Sequence, residues 1–303
     1  MGTKTGNSDE DGFNKESEEV GISIYRRRLN AEIKDLKSFE LLRAGLAEII
    51  GTFILVLFAV CAGLYPENTS AVYRPSSVHI ALEAGFCLSI IIASLWNISG
   101  GHVNPAVTIG FLVTGQFTFV RFLVYFIAQL IGAVAAGGVV KVITLPELQH
   151  GSFGVVEPGS GIEEYQAVIS EFLITFFLLF AVFSFIDPGR EDTQGAIPYM
   201  IELIVTVNIF ATWNISGGCM NPARNFGPAV VTGNLTYQWI YWVGPMVGGA
   251  TGALCYDKIF STGACKRWRT GCAQGNDVIE EADDYDGVIT EKTALHEEPK
   301  TSV

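Results

Sequence analysis

Two stretches of this chain carry the same unusual set of hydrogen-bonding and backbone-shaping residues. Trp96–Val107 reads WNISGGHVNPAV and Trp213–Arg224 reads WNISGGCMNPAR. Each sets two glycines ahead of an Asn-Pro-Ala triplet, Asn104-Pro105-Ala106 and Asn221-Pro222-Ala223, and the triplets lie 117 residues apart (221 − 104). Asn is a strong N-cap, and Pro at the first helical position gives up only an N–H that has no partner there. Each triplet therefore starts a helix, while the glycines let the entering backbone run extended and exposed. The chemistry this offers is recognition rather than bond-making: an amide N–H for whatever passes, beside a helix N-terminus with its positive end of the dipole. No nucleophile–base spacing, metal-ligand cluster or phosphate loop accompanies it, and the six cysteines (61, 87, 219, 255, 265, 272) form no Cys-x-x-Cys pair. The expectation is a protein that is not an enzyme, needs no metal or cofactor, and has no nucleic-acid partner.

The elements that position these triplets are apolar. With 49% hydrophobic and 17% charged residues and a mean hydropathy of +0.36, the chain is poor in charge for a soluble domain, where about a quarter is usual. Six runs approach the roughly 20 residues a helix needs to cross a bilayer: about Ala44–Leu64, Val78–Trp96, Phe119–Ile143, Ala167–Ile186, Ile197–Trp213 and Trp239–Phe260. The fifth is short and carries Glu202. Two further apolar segments, Pro105–Val113 and Pro222–Val231, follow the triplets and are too short to span. Residues 1–40 read as a basic, structureless tail, 41–260 as the membrane domain (repeats about 41–143 and 166–260), and 261–303 as an acidic tail. An even number of spans puts both tails on one side. Lys4, Lys15, Arg26, Arg27, Arg28, Lys34, Lys37 and Arg43 precede the first span, Lys258 stands at the end of the last, and Lys266, Arg267, Arg269, Lys292 and Lys300 follow it, so the positive-inside rule makes that side cytoplasmic.

The two halves are copies. Glu48, Thr52 and Phe53 in the first span match Glu171, Thr175 and Phe176 in the fourth, and Tyr125–Ala133 (YFIAQLIGA) matches Tyr241–Gly249 (YWVGPMVGG). Three spans per half turn the second copy upside down, an inverted repeat of the kind transport proteins use, with the working site near the midplane. The two short helices then approach the centre from opposite faces. Irregular backbone at that depth is tolerated only against protein or a water-filled cavity, so these segments line a pore whose middle is electropositive.

At these residues, together with Gln129 and GGCMNPARNFGPAV, the chain resembles the aquaporins (major intrinsic proteins) from Leu41 to about Phe260, with GGCMNPAR, FGPAVV and WIYWVGP most like the aquaporin-8 type. The resemblance implies an all-α fold of six transmembrane helices and two re-entrant half-helices, assembled as a homotetramer in the lipid bilayer with a water pore in each subunit and protons and ions excluded. It also implies a second constriction of four side chains, which offsets place at Ala84, Ile209, Gly218 and Arg224, where water-only members resemble Phe, His, Cys and Arg. Losing an aromatic and an imidazole widens this filter and leaves an apolar wall opposite Arg224, suited to small uncharged solutes such as ammonia, hydrogen peroxide or urea besides water. Glycerol conduction is an alternative, against which Asn225 stands where glycerol-conducting relatives carry Asp; a mainly structural or junctional member of low conductance is another. Glu48 and Glu171 are implied to brace the loops, His102 to border the cytoplasmic half of the pore, and Cys219 to be a mercurial site. Glu83 and Glu202 match nothing in the family pattern.

The loops and tails add smaller expectations. Asn68 and Asn234 head glycosylation sequons in loops placed outside. Thr301-Ser302-Val303 could add as a strand to a PDZ domain. The plasma membrane is the expected location.

Overall fold

The computed structural model describes residues 25–66, 69–70, 74–149, 152–190, 192 and 195–264. The sequons at Asn68, the 261–303 tail beyond Ala264, and the Thr301–Val303 motif fall outside these residues. The elements in chain order are a helix through residues 25–36 (α1), α2 Phe39–Ala62, α3 Ser77–Leu95, α4 Pro105–Val113, α5 Phe119–Ile143, a 3-10 turn Pro146–Leu148, α6 Glu164–Phe185, α7 Ile197–Thr212, α8 Pro222–Thr232 and α9 Gln238–Cys255, which runs on as a π turn to Phe260. Among the described residues the only β contact is a single parallel bridge between Tyr65 and Gln149.

Helices α2, α3, α5 and α6 are long and apolar enough to cross a membrane. At about 1.5 Å per residue the 16-residue α7 reaches roughly 24 Å, just short of the hydrocarbon core. Helix starts follow ordinary capping chemistry: the hydroxyls of Ser38, Ser76 and Thr118 accept from the N–H groups of Leu41, His79 and Arg121.

The halves repeat the same order of elements, α2–α5 and α6–α9. Their closest approaches are made by glycine in matching places. A Cβ on Gly132 would stand 2.4 Å from the carbonyl oxygen of Ile49, and one on Gly248 2.3 Å from that of Phe172, so α5 lies directly on α2 as α9 lies on α6. The largest apolar cluster gathers Ile92, Leu178, Val205, Ile209 and Met220, with Ala84 and Leu88 packed against it. Outward-facing residues such as Leu42, Ile50, Phe86, Ile131, Phe177 and Val243 are large, apolar and exposed, the reverse of a soluble surface.

The N-terminal tail departs from the expectation of a structureless segment. Residues 25–36 are helical because Tyr25, Leu29, Ile33 and Leu36 recur at helical spacing, a stripe that a count of charges alone hides. Its acidic side is fixed to the start of α5. Glu32 accepts from the otherwise orphaned N–H groups of Phe119 and Val120 (2.8 and 2.9 Å), and Asp35 accepts from Thr118 Oγ1 (2.5 Å) and Arg121 (2.9 and 3.3 Å).

Candidate functional site

The two Asn-Pro-Ala triplets meet. Asn104 and Asn221 are the N-caps of α4 and α8, each side-chain oxygen accepting from the N–H of the Ala two residues on, at 2.8 and 3.0 Å. Their amide nitrogens cross: Asn104 Nδ2 donates to the carbonyl of Met220 at 3.0 Å, and Asn221 Nδ2 to that of Val103 at 2.9 Å. Each amide carries two N–H groups, so one fastens the opposite loop and the second is left to point elsewhere. Pro105, Ala106, Pro222 and Ala223 are buried beneath them.

The entering loops are bent by symmetric positive φ values, at Gly100 and Gly101 (82° and 63°) and at Gly217 and Gly218 (81° and 66°), followed by Val103 (42°) and Met220 (54°). A β-branched residue at positive φ is strained, and buried carboxylates hold the strained amides. Glu48 accepts from Ser99 Oγ (2.7 Å), His102 N (2.9 Å), Val103 N (2.6 Å) and Gln129 Nε2 (2.8 Å). Glu171 accepts from Cys219 N (2.9 Å) and Met220 N (2.8 Å). Tyr125 and Tyr241 each donate to a loop carbonyl, of Ser99 and Ser216, at 2.9 Å. Both Glu residues are fully buried, and their bonds go to the loop backbone and neighbouring side chains.

His102 sits between the triplet and the face that carries α1. Its Nδ1 lies 3.3 Å from Thr108 Oγ1, and its ring packs on Phe111 (4.4 Å) and stacks on Phe117 (4.8 Å, 12°). Toward the other face, Ala84 and Ile209 share one apolar cluster. A Cβ on Gly218 would stand 2.9 Å from Ile209 Cα, so the loop lies on α7 more closely than a side chain there would allow without a shift. Arg224 Nη1 donates to the carbonyl of Gly154, and Glu83, beside Ala84, interacts electrostatically with Arg224. Gly218 thus packs on Ile209, and Arg224 is tied to the loop at Gly154.

Several side chains differ in place from what spacing suggests, or were not singled out. Cys219 follows Gly218 in sequence, but its thiol is buried among Ala167, Ile240 and Tyr241 and donates to the carbonyl of Asn221, on the α6–α9 side of the loop. Asn234 Nδ2, the atom a glycan would take, donates to Glu157 at 2.6 Å. Glu202 borders a shallow outward groove with Phe86, Ser89 and Tyr199. Both oxygens of Glu83 are buried with no donor among the described residues. The segment around Gly154 is a part of the site that sequence reasoning missed. Asn225, fully buried, accepts from Val156 N (2.6 Å) and donates to Val156 O (3.2 Å). Its neighbour Arg224 is thereby tied to the same loop, and the only sequence signal was the run of glycines at 151, 154, 159 and 161.

An inverted pair of half-helices meeting cap to cap within a bundle of apolar helices defines a membrane channel. The model of the Major intrinsic protein family matches residues 35–256. The chain is 41% identical over 234 residues to Aquaporin TIP2-1 of Arabidopsis thaliana (75% of this chain, 90% of that protein). It is 35% identical over 242 residues to Aquaporin FA-CHIP of Pelophylax lessonae (76% and 89%). A solved structure, the aquaglyceroporin from Plasmodium falciparum, shares the fold at a TM-score of 0.63 and 24% identity, covering 72% of this chain and 96% of its own. The chain belongs to the major intrinsic protein (aquaporin) family and is an integral membrane channel, not an enzyme. The narrower likeness to the aquaporin-8 type finds no support in these comparisons.

Proposed function

We propose that the protein conducts water and small uncharged solutes such as ammonia, hydrogen peroxide and urea down their gradients while excluding protons and ions. The observation that carries this reading is the crossing of Asn104 and Asn221 where the two half-helices meet, with Gly218 packed on Ile209 and Ala84 in the same apolar cluster as Ile209. Each half-helix places about half a positive charge at its N-terminus. Two of them facing one point repel a cation there, and the free amide N–H of each Asn draws the oxygen of a water molecule to the centre. Water on either side is then turned with its hydrogens outward, which breaks the continuous chain a proton would follow. At the outer level a methyl, a sec-butyl wall and a bare glycine exclude less by size than aromatic and imidazole rings would, and Arg224 supplies one fixed donor and a positive charge.

Glycerol is the less favoured solute, because Asn225 is spent on holding the Val156 backbone. The reading extends to a homotetramer in the plasma membrane with both tails cytoplasmic; the exposed apolar faces support a place in the bilayer, and the lysines and arginines gathered at the chain ends support the cytoplasmic side.

Stopped-flow light scattering on proteoliposomes tests the filter. Wild type passes water and at least one of ammonia, hydrogen peroxide or urea; the double variant Ala84→Phe, Ile209→His keeps water and loses the second solute. A wild type that passes water alone defeats the wide-filter reading.

A further inference from the structure

Helix α1 has three distinct sides. Turned by 100° per residue, Tyr25, Leu29, Ile33 and Leu36 fall within an arc of about 80°. They are 68%, 45%, 40% and 70% exposed. One flank carries Glu32 and Asp35, which are fastened to the start of α5 as described above. Beside the stripe on the opposite flank stand Arg26 and, in the turn after the helix, Lys37, while Arg27 lies on the far face and Arg28 between Glu32 and Asp35; all four are exposed. The clamp on α5 therefore fixes how the helix is rolled: acidic side inward, apolar stripe and basic flank outward.

The stripe does not end with α1. After the turn at Lys37 and Ser38, Phe39, Leu42, Leu46 and Ile50 continue it along α2, each more than half exposed. These α2 residues belong to a helix that crosses the membrane, so the exposed apolar surface that follows the α1 stripe in sequence is the lipid-facing one. A helix with an apolar face, a basic flank beside it and continuity with a transmembrane surface meets the description of an interfacial helix, in which arginine and lysine stems lie along the acyl boundary and their charges reach the headgroups.

We infer that α1 is a lipid-binding element of the channel, seated in the headgroup layer with Tyr25, Leu29, Ile33 and Leu36 in the acyl boundary and Arg26 and Lys37 on anionic phospholipid headgroups. This goes beyond solute conduction and does not depend on it. Each basic residue near an anionic surface strengthens attachment about fivefold, so the two of them make the seating of α1 sensitive to lipid composition. A chain of contacts leads inward: α1 holds Arg121 through Asp35, Arg121 lies over the ring of Phe117 (5.5 Å), and Phe117 stacks on His102.

Amide hydrogen exchange of the full chain in lipid nanodiscs, followed by mass spectrometry, tests this without reference to conductance. With ~30% phosphatidylserine in phosphatidylcholine, exchange over residues 25–36 is expected to slow about tenfold relative to phosphatidylcholine alone. Inorganic phosphate added to the phosphatidylcholine discs produces no such slowing. The variant Arg26→Gln, Lys37→Gln abolishes the difference between the two lipid compositions, and Leu29→Glu with Ile33→Glu raises exchange in both. Exchange over residues 39–62 stays at wild-type level throughout and certifies the fold. Equal exchange of residues 25–36 in the two compositions, or a lipid response that survives loss of the two basic side chains, overturns the inference.

Discussion

At the scale of single residues, the two halves are alike in plan and unequal in support. Glu48 receives four donors, among them the side chain of Gln129, whereas the place matching Gln129 in the second copy is Pro245, which can donate nothing. A Glu→Gln change turns one acceptor oxygen into an N–H₂ facing donors, and each buried donor left without a partner costs about 1–3 kcal/mol. Glu48→Gln is therefore expected to lower the melting temperature more than Glu171→Gln, and thermal unfolding of the purified variants reads this directly; the reverse order contradicts the assignment of Glu48 as the more heavily used brace. The thiol of Cys219 yields a second expectation. Buried behind the loop against Tyr241, it should leave osmotic water flow unaffected by brief mercurial treatment, and a block abolished by Cys219→Ser would show that the thiol reaches the pore. The triplets and their caps were legible in the sequence because Asn-Pro has one local meaning. The side taken by Cys219 was not, because two neighbours on a positive-φ turn face opposite ways and spacing alone does not say which way each points.

Among the elements, the half-helices were legible to the residue, Pro105–Val113 in full, since Pro marks their starts and the loss of apolar character their ends. The long helices were read to within a few residues for the same reason. The loop from Ser152 to Gly159 was not. Its contribution is made by backbone carbonyls of Gly154 and Val156, and a carbonyl has no signature in a residue type. Helix–helix contact is decided by glycine, which makes a sharp contrast available. Ala at Gly132 or Gly248 brings a methyl against a carbonyl on the facing helix, an overpacking that costs about 1–3 kcal/mol. Nothing lies within 4 Å of a Cβ at Gly138, where Ala should gain about 1 kcal/mol from helix propensity. Melting of Gly132→Ala and Gly248→Ala below wild type, with Gly138→Ala at or above it, is the expected order.

For the whole molecule, two carboxylates outside the membrane spans hold the face that carries the N-terminal helix. Burial opposes the charge on Asp35, yet its hydrogen bonds from Arg121 and Thr118 and the guanidinium charge leave its pKa below the ordinary value. Burial likewise opposes the charge on Asp187, and the bonds from Gly189, Thr262 and Tyr256 outweigh it, lowering its pKa. A depressed folded value means that the stabilisation is complete above the ordinary carboxylate pKa, 3.8 for Asp, and is lost as pH falls through the folded one. Stability should hold from neutral pH to about pH 5 and fall below it, with a shallower acid decline in Asp35→Asn, Asp187→Asn; an identical decline contradicts the linkage. The inverted plan was legible at this scale because the repeat was written twice, while the roll of α1 needed the contacts at Glu32 and Asp35 to be seen. The account as a whole rests on a centre that passes water and stops protons. Osmotic shrinkage of proteoliposomes, recorded together with a trapped pH-sensitive dye under a proton gradient, measures both at once. Water flow well above empty vesicles with no added proton leak is the predicted result; flow no faster than empty vesicles, or a proton leak that rises with the amount of protein, contradicts it.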